Sequence, residues 1–170
     1  LTMTVPRKTG QIPIFYNRKR ISRPLDNTRH TSKYVDSSND PLYPFGYGLS
    51  YTNFSYSAIK LSTDSINLNE SLEASVTVTN TGKRFGEEVV QLYVKDMVGS
   101  AVRPVMELKG FEKIALEAGE SQEVNFTIDA NDLAFYTRDM SFKAEPGDFA
   151  LMIGPSSVSY KSVPFKLTAD

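Results

Sequence analysis

Apolar and polar residues alternate with period two along most of the chain from 54 to 167, in about seven stretches separated by turn-forming residues. The clearest stretch puts Leu72, Ala74, Val76 and Val78 on one side and Glu73, Ser75, Thr77 and Thr79 on the other, the pattern of a strand with one buried face and one wet face. Asn80, Thr81 and Gly82, which tolerate a positive φ, predict a loop to a second strand over 87–96 that would be its antiparallel neighbour. In that second strand Val89 and Tyr93 share one side and Val90, Leu92 and Val94 the other. Apolar groups on both faces predict a central position.

Val124, Phe126 and Ile128 alternate after a turn at 117–120. Met140, Phe142 and Ala144, then Phe149, Leu151 and Ile153, predict a hairpin about Pro146 and Gly147. Pro164 removes a ladder donor and so places the last strand at an edge, and phase slips near Ala58 and Gly110 predict bulges. The one helical candidate is a short capped turn within 129–136. These spacings predict an all-β fold, an immunoglobulin/fibronectin type III-like β-sandwich over 51–170. The first 50 residues differ in kind. A strand-like piece at 11–16 is followed by a long irregular linker, polar, charged and proline-bearing, which runs from 18 to 50 without periodicity. Tyr43, Phe45, Tyr47 and Tyr51 cluster at its end, and flexible linkers seldom carry so much apolar surface, so this junction is expected to pack on another part of a protein.

Composition narrows the function. The 170 residues are 40% hydrophobic and 23% charged, as in an ordinary folded protein, and a sandwich of about 120 residues buries enough surface to need no staple. The absence of cysteine removes thiol chemistry and disulfides and leaves the compartment open. A net charge of -1 offers no field for collecting phosphates, so no nucleic acid is expected as a partner. No apolar run approaches the ~20 residues of a membrane span. The chain opens at Leu1 without a starting methionine, which reads as a cut or processed end.

Candidate chemistry is sparse. His30, the one histidine, sits between charged neighbours in the irregular stretch and reads as a solvated loop residue. One histidine and no cysteine predict no metal, and Gly46-Tyr47-Gly48 lacks the third glycine and the helix of a dinucleotide site, so no cofactor is expected. Carboxylates lie close together at Glu87 and Glu88, Glu117 and Glu120, Asp129 and Asp132, and Glu145 and Asp148. Two carboxylates could serve a glycosidase, but these fall at strand ends and turns, where water keeps a carboxyl at its ordinary acidity. No catalytic residue is assigned. Sequons at Asn53, Asn69 and Asn125 do not discriminate between functions.

The run Pro41-Leu42-Tyr43-Pro44-Phe45-Gly46-Tyr47-Gly48-Leu49-Ser50-Tyr51-Thr52 resembles the junction motif of glycoside hydrolase family 3, the β-glucosidase and β-xylosidase family. Val78-Thr79-Asn80-Thr81-Gly82, Gly86, Val89-Val90-Gln91-Leu92-Tyr93-Val94, Arg103-Pro104, Leu108-Lys109-Gly110-Phe111 and Gly119-Glu120 are similar to that family's fibronectin type III-like domain. Val5-Pro6-Arg7 and residues 10–17 resemble the closing strand of its α/β sandwich domain. The resemblance implies three parts: that closing strand over 1–17, a linker and junction over 18–50, and the sandwich. It also implies a parent enzyme whose catalytic aspartate and glutamate precede Leu1, which hydrolyses terminal β-D-glucosyl residues with retention and is periplasmic or secreted. The partners would be the upstream catalytic domains and, through the parent, a β-linked oligosaccharide. Arg23, Arg29, Lys33, Tyr34 and Asp36 resemble a segment near the active-site mouth of some members. The residues themselves leave two other readings open, a carbohydrate-binding module and an adhesion-type immunoglobulin-like domain.

Overall fold

The computed structural model describes residues 1–19, 33–34 and 36–169. Its strands are β1 (Phe54–Tyr56), β2 (Lys60–Leu61), β3 (Ser65–Ile66), β4 (Leu72–Asn80), β5 (Gly86–Asp96), β6 (Glu107–Leu116), β7 (Ser121–Ile128), β8 (Phe135–Tyr136), β9 (Phe142–Lys143), β10 (Gly147–Gly154) and β11 (Lys161–Leu167). One helical turn, α1 (Ala130–Leu133), follows β7. Asp129 caps it by accepting from the backbone N–H of Asn131 and Asp132, while Asp132 accepts from the N–H of Asp129.

Two sheets form the sandwich. In the first, β4 pairs with β1 and β2 along one edge and with β7 along the other. The second has the order β3-β11-β10-β5-β6, antiparallel except where β3 runs parallel to β11. Between them lies a core in which Leu72, Val76 and Val78 of β4 meet Val90, Leu92 and Val94 of β5, with Leu151, Ile153 and Leu167 closing the second sheet. Burying one such aliphatic side chain stabilises by about 1.5–3 kcal/mol, so this double row fixes which face of each strand turns inward.

Several sequence expectations hold. Strand β5 is central, flanked by β10 and β6, and its register against β6 shifts between Leu92 and Tyr93, beside Gly110. The edge expected of the last strand is met only in part: β3 lies outside β11, but it pairs there at residues 166–167 alone, so Pro164, which faces Ala150 on β10, has no strand on its other side.

Others are corrected. Strands β4 and β5 are not neighbours: they lie in different sheets and face each other across the core. Alternation records which side of a strand is dry, and a partner beside it and a partner opposite it leave the same pattern. The hairpin expected about Pro146 and Gly147 is absent, because β9 pairs with β8 and β10 pairs with β5 and β11. Near Ala58 the chain does not bulge; it breaks into β1 and β2, each paired with β4. Residues 11–16 form no strand. Thr9–Gln11 is a 3-10 turn, Pro13 offers no ladder donor, and no sheet edge among the described residues lies against them.

Gly82 is not a positive-φ turn residue either, since only Gly46, Gly119 and Met140 have positive φ among the described residues. It is a glycine because a Cβ there would lie 2.1 Å from Thr52 Oγ1. Thr52 belongs to a buried knot around Asn80. The Asn80 side-chain oxygen accepts from Thr52 Oγ1 (2.6 Å) and the Gly82 N–H (3.1 Å), and its amide donates to the carbonyls of Arg84 (2.8 Å) and Leu116 (3.0 Å). All four hydrogen-bonding positions of a fully buried amide are filled, which is why a polar residue can end the buried row of β4.

Candidate functional site

The outer face of the second sheet carries a second, smaller core. Tyr93 of β5 and Met152 of β10 are buried there with Met106, although they point away from the main core. What covers them comes from the first fifty residues: Tyr16 stacks on Phe45 with ring centroids 4.2 Å apart and meets Tyr93 edge-on at 5.9 Å. The Tyr16 hydroxyl accepts from the Leu108 N–H (3.2 Å), and the Val105 N–H donates to the Arg18 carbonyl (2.8 Å).

Polar bonds fix this cover in register. Gln91 lies among apolar neighbours on β5, and its amide donates to the carbonyls of Gly46 (3.1 Å) and Pro155 (2.6 Å) while its oxygen accepts from the Tyr93 hydroxyl. The Phe45 carbonyl accepts from both the N–H (3.0 Å) and the hydroxyl (2.9 Å) of Ser157. Gly46 has φ +80, and a Cβ would lie 2.0 Å from Gln91 Oε1, so the close approach admits only glycine. Gln91 and Ser157 were not singled out from the sequence. The available signal was an amide interrupting the apolar run 89–94.

The four junction aromatics take different places. Phe45 enters the second core, Tyr43 and Tyr47 touch each other with centroids 5.0 Å apart, and Tyr51 is 92% exposed with no ring contact. The opening residues run alongside: the N–H groups of Val5 and Leu42 exchange bonds with the carbonyls of Tyr43 and Val5, each 2.8 Å. Buried Gln11 ties this pair to the linker. Its oxygen accepts from the Arg7 N–H, and its amide donates to the carbonyls of Ser38 (2.9 Å) and Asp40 (3.2 Å).

Beyond the covered half, the same face opens into a groove of about 500 Å³ lined by Tyr47, Leu49, Val89, Leu108 and Phe111, with Glu87 and Glu88 along it. Leu49 is 88% and Phe111 68% exposed. By contrast, the outward side chains of β4 and β7 are hydroxyls, amides and charges: Ser75, Thr77, Thr79, Glu123 and Asn125. The two outer faces of the sandwich are therefore of opposite character.

Of the five residues matched to an active-site mouth, Arg23 and Arg29 lie outside the described residues, as does His30. Lys33 is exposed. The Tyr34 hydroxyl donates to the Gly10 carbonyl (3.1 Å), and Asp36 accepts from Lys8 Nζ (3.1 Å), which holds its carboxyl below the ordinary range. These contacts tie the linker to the opening turn and gather no reactive centre.

Most of the paired carboxylates are spent on local structure. Glu120 accepts from the Glu117 N–H (2.7 Å), Asp129 and Asp132 form the helix cap, Asp148 pairs with Lys166 (3.4 Å), and Glu145 accepts from the Ser100 N–H (3.0 Å). Two acids depart from the expectation that water reaches them all. Glu88 is half-buried, and burial raises its pKa. Asp96 is buried beside Arg103 (3.5 Å), and burial raises its pKa against the pull of that guanidinium. Arg103 also binds Glu107 (2.7 Å) and lies over the Phe135 ring at 4.2 Å. A cation thus sits between Asp96 and Glu107, and Glu87, on the opposite side of β5 from Glu88, pairs with Lys113 (2.6 Å). No two carboxylates among the described residues confront each other across an open site as glycoside hydrolysis requires.

Residues 88–157 match the model of the fibronectin type III-like domain. A periplasmic β-glucosidase of Salmonella typhimurium is 46% identical to this chain over 170 residues, covering 98% of the chain and 22% of that enzyme. This chain carries a fibronectin type III-like domain and is similar along nearly all of its length to one part of such β-glucosidases. The β-glucosidase BoGH3A of Bacteroides ovatus is 39% identical over 169 residues and is covered over 23% of its length. Among solved structures, a β-glucosidase of Listeria innocua in complex with laminaribiose superposes with a TM-score of 0.91 at 40% identity, over 99% of this chain and 24% of that one. The chain thus spans less than a quarter of the length of these relatives.

Proposed function

We propose that this portion is a non-catalytic clamp: residues 1–50 and the open groove pack against the upstream catalytic domains of the parent and hold them in place. The observation that carries the reading is the unfinished second core. Tyr16 and Phe45 cover the Tyr93–Met152 half of the outer sheet face, while Val89, Leu49 and Phe111 leave the other half apolar and bare. Each square ångström of such surface covered stabilises by about 25 cal/mol, so a partner there gains several kcal/mol. Tyr43, Phe45, Tyr47 and Tyr51 form the junction in this reading, and Lys33, Tyr34 and Asp36 lie on the side that approaches the active-site mouth.

The parent is a β-glucosidase that releases terminal β-D-glucosyl residues from β-linked oligosaccharides with retention, using an aspartate nucleophile and a glutamate acid/base upstream of residue 1. It works in the periplasm or outside the cell, as the name of the Salmonella relative suggests.

The test uses the full-length parent and this chain side by side on an aryl β-glucoside. The parent should turn over and the chain alone should not. In the parent, Phe111→Asp and Val89→Glu should each lower the melting temperature by about 2–8 °C, as a loss of 1–2 kcal/mol would in a domain of 150–250 residues. Turnover by the isolated chain, or a parent indifferent to both substitutions, would refute the clamp.

A further inference from the structure

The two-stranded ladder of β8 and β9 belongs to neither core, yet it displays two aromatic rings. Tyr136 and Phe142 are register partners, their centroids are 5.1 Å apart at 55°, and they are 65% and 58% exposed. Met140, at the tip between them, is 77% exposed. Exposed apolar surface of this kind ordinarily marks a site of contact.

The hairpin is held rigid. Phe135, the neighbour of Tyr136, is buried beneath the Arg103 guanidinium, which Asp96 and Glu107 hold in turn. At the tip the Thr137 hydroxyl donates to Asp139, the Ser141 hydroxyl donates to the same carboxylate (2.9 Å), and the Met140 N–H closes the turn on the Thr137 carbonyl (3.0 Å). Met140 keeps φ 64, a left-handed conformation that few residues other than glycine adopt. Arg138, Asp139 and Lys143 flank the rings, the last two 3.7 Å apart.

Size and chemistry narrow the occupant. An aromatic side chain offers about 150–250 Å² at most, so the exposed parts of these three side chains amount to roughly 400 Å². A stable protein interface needs about 800 Å² from each partner, which this hairpin does not supply. The rings offer flat apolar faces, and the rim offers both cationic donors and an anionic acceptor. A pyranose ring, with C–H groups on its faces and hydroxyls around its rim, matches both parts. A purely apolar ligand would leave the charged rim idle, and an anion would meet Asp139.

We propose that the Tyr136/Phe142 face is an accessory platform that binds β-linked gluco-oligosaccharides, outside the parent's catalytic centre. The choice of sugar rests on the β-glucosidase reading above. The test titrates this chain with laminaripentaose and with cellopentaose while following amide and tyrosine-ring NMR signals. Saturable shifts should centre on residues 135–143, with a dissociation constant of about 1 mM. Tyr136→Ala and Phe142→Ala should each weaken binding at least tenfold, Tyr136→Phe should keep it within about threefold, and Tyr51→Ala should leave it unchanged. The phenylalanine variant preserves the ring pair, so its binding separates loss of the platform from loss of the hairpin.

Shifts that do not saturate at millimolar sugar would overturn the proposal, as would shifts that survive both alanine variants. Dilution-dependent mass abolished by Phe142→Ala would do the same, by making the face a contact between copies. Hydrolysis of the aryl β-glucoside by the parent, measured separately, shows whether a negative result touches the platform alone.

Discussion

Single buried polar groups decide much of this fold. Asn80 satisfies four partners that have no access to water, so Asn80→Ala would strand a hydroxyl, two carbonyls and an N–H at once. We expect Asn80→Ala to cost about 2–4 kcal/mol in urea unfolding of this chain, whereas the exposed Thr81→Ala should stay within about 1 kcal/mol. Glu88 supplies a pH dependence. Its folded pKa is raised by burial above the ordinary value near 4.5, so the folded state binds its proton more tightly than the unfolded chain does. That contribution is fully present below about 4.5 and is lost as the pH rises through the raised folded value. Glu88→Gln removes the loss: its melting temperature should match that of the wild type at pH 4 and exceed it at pH 7 by about 2–4 °C. Equal melting temperatures at pH 7 would show that the half-buried carboxylate pays no desolvation cost.

Among the elements, the junction segment is a strap across the second sheet. Phe45 stacks on Tyr16, which in turn meets Tyr93 edge-on, and its carbonyl takes two bonds from Ser157, so Phe45→Ala should cost about 2–3 kcal/mol even in the isolated chain. Tyr51→Ala should change nothing measurable there, because its ring touches no other ring and lies in water. The two residues belong to one motif in the sequence, and thermal melts of the paired variants separate them. Motif membership carries no information about burial, since burial depends on which strand face the strap crosses. The same limit applies to the hairpin that was expected about Pro146 and Gly147. Both flanking runs alternate as strands do, but their partners lie 6 residues or more away in sequence, on β8 and on β5 and β11.

At the scale of the whole molecule, the sandwich has one polar outer face and one apolar outer face. Ser75→Lys and Thr77→Lys, on the polar face, should leave the parent's melting temperature within about 1 °C, in contrast to Phe111→Asp and Val89→Glu in the groove. Comparable losses from both sets would mean that the parent wraps the sandwich on all sides. The comparison needs only thermal melts of four parent variants.

Period-two alternation and turn chemistry were enough to establish an all-β sandwich, the centrality of β5, the irregularity at Gly110 and the edge position of Pro164. Each of these follows from local rules about dry faces and missing donors. The aromatic junction motif was enough to suggest the lineage. Which strands are neighbours, which junction ring is buried, and why Gly82 and Gly46 are glycines were decided only in three dimensions. They depend on contacts between residues far apart along the chain, Thr52 with Asn80 and Gly46 with Gln91, and no local pattern encodes a partner's position across a core.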